Sequence, residues 1–151
     1  MEQCCSNEQR FLIDLLGIKI KRYNIKYDKF NNVDNRMDCS TRTLSKILCL
    51  SYNDVLNMQL KYGLEFQMLH SNYIGITKAI LYDFNYKRVE IVKNTSVAEF
   101  MYKHKTGKYV LITSKHMIAY IDGVWYDNDY CLKCPDKFLV ETLKYVYTDK
   151  Y

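Results

Sequence analysis

KYVLITSKHMIAYIDGVWYD, residues 108–127, carries the densest β signal in the chain. Lys108 to Thr113, Met117 to Ile121 and Val124 to Asp127 are short runs rich in Val, Ile, Tyr and Trp. Between the last two runs stands Asp122-Gly123, the kind of dipeptide that a two-residue type I′ hairpin requires, because both central residues must take positive φ. Antiparallel register about that turn pairs Ile121 with Val124, Tyr120 with Trp125, Ile118 with Asp127 and His116 with Asp129. Strand side chains alternate between faces, so His116 shares a face with Asp127 and Asp129 while Asn128 points the other way. A carboxylate, not the neighbouring amide, is therefore the expected partner of His116.

Outward from this segment, a last strand is expected through Leu139 to Tyr147, and Gly107 closes the half of the chain that precedes the hairpins. That half reads mainly as helix. Phe11, Leu12, Leu15 and Leu16 recur at helical spacing behind Ser6, and Gly17 ends the run. Lys19 to Phe30 alternates Tyr23, Ile25 and Tyr27 with basic and polar residues, a strand-like and basic stretch, and Asn31 to Asp38 is a polar loop. Leu44, Ile47 and Leu48 mark the buried face of a helix from Ser40 to Leu50, with Asp38 able to cap its first turn. Ser51 and Asp54 form a capping box for a helix over Tyr52 to Tyr62 that Gly63 should stop. Tyr73 to Tyr82 reads as a further helix, Arg88 to Val92 as a strand, and Val97 to His104 as a helix capped by Thr95 or Ser96. Helices first and an antiparallel sheet second make the expected class α+β, in one domain over 1–151 with a helical part about 1–106 and a β part about 107–151.

Composition agrees with a single folded domain. The 151 residues are 48% hydrophobic with one Pro, enough to bury a core without metal or disulfides, and there is no repeat or low-complexity tract. The longest apolar runs, Phe11 to Ile18 and Met117 to Ile121, fall far short of the roughly 20 residues a membrane helix needs. The N-terminus, Met-Glu-Gln-Cys-Cys, lacks a basic start and a small-residue cleavage site, so a cytoplasmic location is expected, in a bacterial cell or a virus-infected host cell. There the six cysteines (4, 5, 39, 49, 131 and 134) are expected as thiols. A net charge of +5 with mixed signs permits acidic partners without demanding them; the Lys19 to Lys29 stretch is read as a solvated strand face, not a nucleic-acid track. Cys131-x-x-Cys134 lacks a second ligand pair at zinc-site spacing unless Cys4-Cys5 approach it, so no metal and no cofactor are expected.

Chemistry concentrates at Cys39. A thiol at a helix N-terminus lies near the positive end of the helix dipole and near backbone N–H groups that favour the thiolate, the nucleophilic form. It needs a base, and the chain has three histidines. His70 lies in an irregular stretch and His104 at a Lys-rich helix end, both read as solvated, whereas His116 stands at the mouth of an apolar strand with Asp127 and Asp129 on its face. Cys49 is read as a small buried hydrophobe on the same helix as Cys39.

The order of nucleophile at a helix start, histidine on a later strand and carboxylate on the next is that of papain-like enzymes. The segments Asp38-Cys39-Ser40-Thr41-Arg42-Thr43-Leu44 and Lys108 to Asp127 resemble those of small bacterial and phage papain-like proteins and are similar to minimal double-glycine leader peptidases. The resemblance spans roughly residues 35 to 128 and implies an N-terminal helical subdomain packed on a C-terminal antiparallel sheet, with a cleft between them. It also implies a cysteine hydrolase, a peptidase or an amide-cleaving relative, acting on a peptide or protein through Cys39, His116 and Asp127, with Asp129 the alternative carboxylate. The Cys39 to His116 spacing of 77 residues suits a trimmed relative, against about 130–150 in papain itself. Where papain-like enzymes carry a Gln, six residues before the nucleophile, this chain has Val33; Asn35 is the nearest amide for an oxyanion hole, beside the backbone N–H of Cys39. That substitution motivates the alternative expectation, a catalytically inactive scaffold serving as a protein-binding module or phage-encoded inhibitor.

Overall fold

The structure, a computed structural model, describes residues 19–22, 39–65, 74–127 and 135–149. The stretch from Lys108 to Asp127 forms three antiparallel strands, Lys108–Ile112, Met117–Ile121 and Val124–Asp127, with Ile121 opposite Val124 and Tyr120 opposite Trp125. Asp122 and Gly123 take φ of 48° and 80°, the left-handed pair of a type I′ turn. A side chain on Gly123 would also meet the Lys105 carbonyl oxygen at 3.2 Å.

In chain order the described elements are β1 (Lys19–Arg22), α1 (Cys39–Leu48), α2 (Tyr52–Glu65), α3 (Ile74–Asp83), β2 (Lys87–Arg88), α4 (Val97–Lys103), β3 (Lys108–Ile112), β4 (Met117–Ile121), β5 (Val124–Asp127), α5 (Pro135–Leu139) and β6 (Tyr145–Thr148). The class is α+β. The six strands form one sheet in the order β1-β5-β4-β3-β6-β2. All neighbours run antiparallel except β1, which joins the edge parallel to β5, placing Lys19 beside Val124 and Arg22 beside Asp127.

The sheet is thus not confined to the C-terminal part of the chain. Its two edge strands come from the half expected to be helical, and each needs a long crossover that local pattern cannot announce. Nor is the sheet covered on one side alone. Val110, Ile112, Met117 and Ala119 pack with Leu44, Ile47, Ile76 and Ile80 of α1 and α3. The alternate residues Leu111, Ile118, Tyr120 and Trp125 pack with Phe100, Met101 and Leu139 of α4 and α5. Burial on both faces explains why β4 reads as a continuous apolar run instead of an alternation.

Caps set several boundaries. Ser96 accepts a hydrogen bond from the Glu99 N–H at 3.1 Å, so it, not Thr95, caps α4. The Ser51 hydroxyl accepts from the Asp54 N–H at 3.0 Å, the N-cap half of the capping box expected for α2. Gly63 does not stop that helix, which runs on to Glu65 with Gly63 buried inside it. The strand expected over Arg88 to Val92 shortens to Lys87–Arg88, with one further bond from the Val89 N–H to the Val146 carbonyl. Leu139 closes a short helix opened by Pro135, and the last strand begins only at Tyr145. The readings over residues 7–18 and 23–38 lie outside the described residues.

Cys49 is exposed, not buried. It has φ 58° just beyond α1, where the Leu50 N–H bonds the Ser45 carbonyl at 3.1 Å in a Schellman closure. Asn85 plays the same part after α3, with φ 65° and a bond from the Tyr86 N–H to the Leu81 carbonyl. Cys49→Gly should therefore stabilise the protein by about 1 kcal/mol in urea titration, because a left-handed L-residue carries a steric cost that glycine lacks. A second expectation concerns alkaline pH. Burial pushes the phenols of Tyr120 and Tyr86 up to about 12 from 10.0. The unfolded chain ionises them first, so their contribution to stability is full below pH 10 and is lost as pH climbs toward 12. Circular dichroism across that range should record cooperative unfolding, with Tyr120→Phe moving it to higher pH.

Candidate functional site

His116 ends a tight turn between β3 and β4. The Thr113 hydroxyl oxygen accepts from the backbone N–H of His116 at 3.0 Å and of Lys115 at 3.2 Å, and the same hydroxyl donates to the Glu141 carboxylate at 2.6 Å. The Thr113 N–H closes the turn on the His116 carbonyl at 2.9 Å. This anchored backbone aims the buried imidazole across the hairpin, and its Nε2 lies 2.6 Å from Asp127 Oδ2. The contact is the diagonal one that type I′ register implies for these two residues. A carboxylate only accepts, so Nε2 carries the proton and Nδ1 is the basic nitrogen of the neutral ring.

Asp127 is buried at the end of β5 and gathers donors from three directions. Besides His116, the indole Nε1 of Trp125 donates to Oδ2 at 3.1 Å, and an Arg42 guanidinium nitrogen stands 3.5 Å from Oδ1. Arg42 is itself buried, with 4% of its side chain exposed. The Phe138 ring of α5 lies 4.6 Å from the His116 ring and meets Trp125 edge-on, screening this side of the pair with apolar surface.

Cys39 is the first residue of α1 and half-buried. The side chains of the next turn fix how the helix lies. Arg42 reaches Asp127, the Thr43 hydroxyl donates to the Met117 carbonyl at 3.0 Å, and farther along Lys46 sits 4.2 Å over the ring of Tyr126, which is paired with Ala119. The helix therefore runs in the direction of β4. Its N-terminus points to the end of the sheet that carries His116 and Asp127, with Cys39 about 6 Å before Thr43 along the axis. Among the described residues no hydrogen bond joins Cys39 to His116: the thiol packs with the cluster under α1, the imidazole with the Phe138 ring.

The first turns of α1 are held by an unusual amount of buried polarity. Thr41 donates to Gln59 Oε1 at 2.7 Å, and Gln59 Nε2 donates to Ser40 at 3.1 Å, so the fully buried amide of α2 clamps the two residues after Cys39. The Ser45 hydroxyl donates to the Leu50 carbonyl at the other end.

Of the residues singled out in sequence, His116 and Asp127 are in direct contact and Cys39 heads the helix whose second turn touches Asp127. Asn35, Asp129, His70, Cys4, Cys5, Cys131 and Cys134 lie outside the described residues. His104 is not a solvated ring: it stacks on Phe100 at 3.9 Å, with Nδ1 3.0 Å from the Phe100 carbonyl oxygen. Arg42, Thr43, Trp125 and Gln59 were not singled out. Arg42 and Thr43 follow Cys39 by three and four positions, the spacing of one helical face, so their place beside the nucleophile candidate was readable once the helix was assigned. Among the described residues no three His, Cys, Asp or Glu side chains gather to hold a metal ion, and no helix is long and apolar enough to cross a membrane.

Comparison with family models, curated proteins and solved structures finds no match to this chain.

Asp127→Asn would remove the negative member of a buried cluster, the carboxylate that Arg42, His116 and Trp125 approach. The variant should lose about 3–5 kcal/mol in denaturant titration. A loss within about 0.5 kcal/mol, typical of a surface site, would show that the cluster is not energetically closed.

Proposed function

We propose that the protein is a cysteine hydrolase of papain-like type, cleaving a peptide or amide bond with Cys39 as nucleophile, His116 as base and Asp127 as the residue that orients the base. The observation that supports it most is the 2.6 Å His116–Asp127 contact at the end of the sheet that the N-terminus of the Cys39 helix faces. The chemistry follows from these groups. Nδ1 of His116 takes the thiol proton, Sγ of Cys39 attacks the substrate carbonyl carbon, and the negative charge that develops on oxygen is met by backbone N–H groups at the start of α1. The C–N bond breaks as His116 returns the proton to the leaving amine. Water then attacks the thioester, giving His116 its proton, and the acid product leaves with Cys39 restored as a thiol. Asp127 keeps the proton of neutral His116 on Nε2 and stabilises the imidazolium when it forms.

A second reading, a catalytically inactive scaffold that binds a partner protein, draws on the absence of a Cys39–His116 hydrogen bond among the described residues and on Val33 where the related enzymes carry a glutamine. Free enzymes often hold this bond long and tighten it only on substrate, so reactivity discriminates better than distance.

Exposed Cys49 supplies an internal control. Native protein treated with limiting iodoacetamide at neutral pH, then digested and quantified by mass spectrometry, should show Cys39 alkylated faster than Cys49. His116→Gln should slow Cys39 by about tenfold or more and leave Cys49 unchanged. Equal rates at the two thiols, or a Cys39 rate indifferent to His116, would sink the hydrolase reading in favour of the scaffold.

A further inference from the structure

Arg42 has no part in the triad as such, yet it is buried beside it. Three ionisable side chains, Arg42, Asp127 and His116, are each at least nine-tenths removed from solvent and joined through one carboxylate. A guanidinium is always cationic, and here it stands beside the carboxylate that the His116 ring contacts. A cation this close in a low-dielectric site disfavours a second positive charge and so opposes protonation of His116. Without Arg42 that opposition is gone and the imidazole takes up a proton more readily. The same positive charge, three residues along the helix that Cys39 begins, favours the thiolate over the thiol.

We propose that Arg42 is a positioning residue that offsets the charge of Asp127, so that His116 rests as a neutral base able to accept the proton of Cys39. The proposal rests on the reading of Cys39 and His116 as nucleophile and base. Its geometry is specific to α1: Arg42 follows Cys39 by three residues, so the helix that carries the nucleophile also carries the counter-charge of the residue that orients the base. Other charged groups stand on the elements around His116. Lys115 is exposed in the turn, Glu141 acts through the Thr113 hydroxyl, and Asp136 lies on α5 with Phe138. Arg42 is a cation that approaches the Asp127 carboxylate oxygen opposite the one that His116 uses.

The test separates this inference from the hydrolase reading. Ring signals of His116, assigned by their loss in His116→Gln, are followed by NMR across pH in wild type, Arg42→Met and Arg42→Lys. In Arg42→Met, His116 should take up its proton about one pH unit higher or more, and Arg42→Lys should restore the wild-type titration. Cys39 alkylation by iodoacetamide at neutral pH should slow several-fold in Arg42→Met and recover in Arg42→Lys, with exposed Cys49 constant. An unchanged or lowered His116 titration in folded Arg42→Met, or a lysine variant that behaves like the methionine one, would overturn the assignment. A raised titration without any change at Cys39 would keep Arg42 as the charge balance of His116 and sink Cys39 as its partner. Should Arg42→Met fail to fold, Arg42→Lys against wild type carries the test: a folded lysine variant with the wild-type His116 titration supports charge as the role, and one that fails to fold or whose His116 titration rises would overturn the proposal.

Discussion

One buried carboxylate ties the molecule together. Asp127 accepts from the imidazole of the strand entry beside it, from the indole two residues before it and from an arginine on a helix 85 residues earlier in sequence. Each of these donors would be expensive to bury alone. Grouped around one carboxylate they share its charge. The consequence is geometric: the end of β5, the turn before β4 and the second turn of α1 can be satisfied only in one relative arrangement, so the polar cluster specifies how helix and sheet meet where apolar packing alone would tolerate sliding.

The same logic extends along α1. A helix whose first turns read Cys-Ser-Thr-Arg-Thr would ordinarily face water, since serine, threonine and arginine are polar side chains found mostly exposed. Here Ser40, Thr41, Arg42 and Thr43 are all buried, and their bonds to Gln59, Asp127 and Met117 are what make that burial tolerable. The helix is held by polar contacts at the end where chemistry is proposed and by Leu44 and Ile47 farther along. Such a division would suit the nucleophile proposed for Cys39, because hydrogen bonds define direction and aliphatic contacts do not.

Much of the fold was legible because its signals are local. A two-residue turn that needs positive φ twice selects Asp-Gly, and register then follows arithmetically to the His116–Asp127 diagonal. Ser51 and Ser96 announce helix starts by a hydroxyl that accepts from a backbone N–H three residues on. Glycine was the weaker punctuation: Gly63 lies inside α2, where it is buried. Cys49 misled for a related reason. Hydrophobic character suggested burial, but the residue follows the last helical turn, where the backbone must turn left-handed whatever the side chain prefers.

The sequence by itself determined the α+β class, the core hairpin and its register, the helix headed by Cys39, and the pairing of His116 with the carboxylate of Asp127, since each depends on periodicities of two or 3.6 residues and on turns of fixed length. Only the tertiary structure decided that β1 closes the sheet parallel to β5, that helices cover both faces, that His104 is stacked on Phe100 and that Arg42 completes the Asp127 cluster. Those features join residues tens of positions apart. They are selected by the shared need to remove apolar faces and charged groups from water, a requirement that no local pattern encodes and that is met only when the whole chain has closed upon itself.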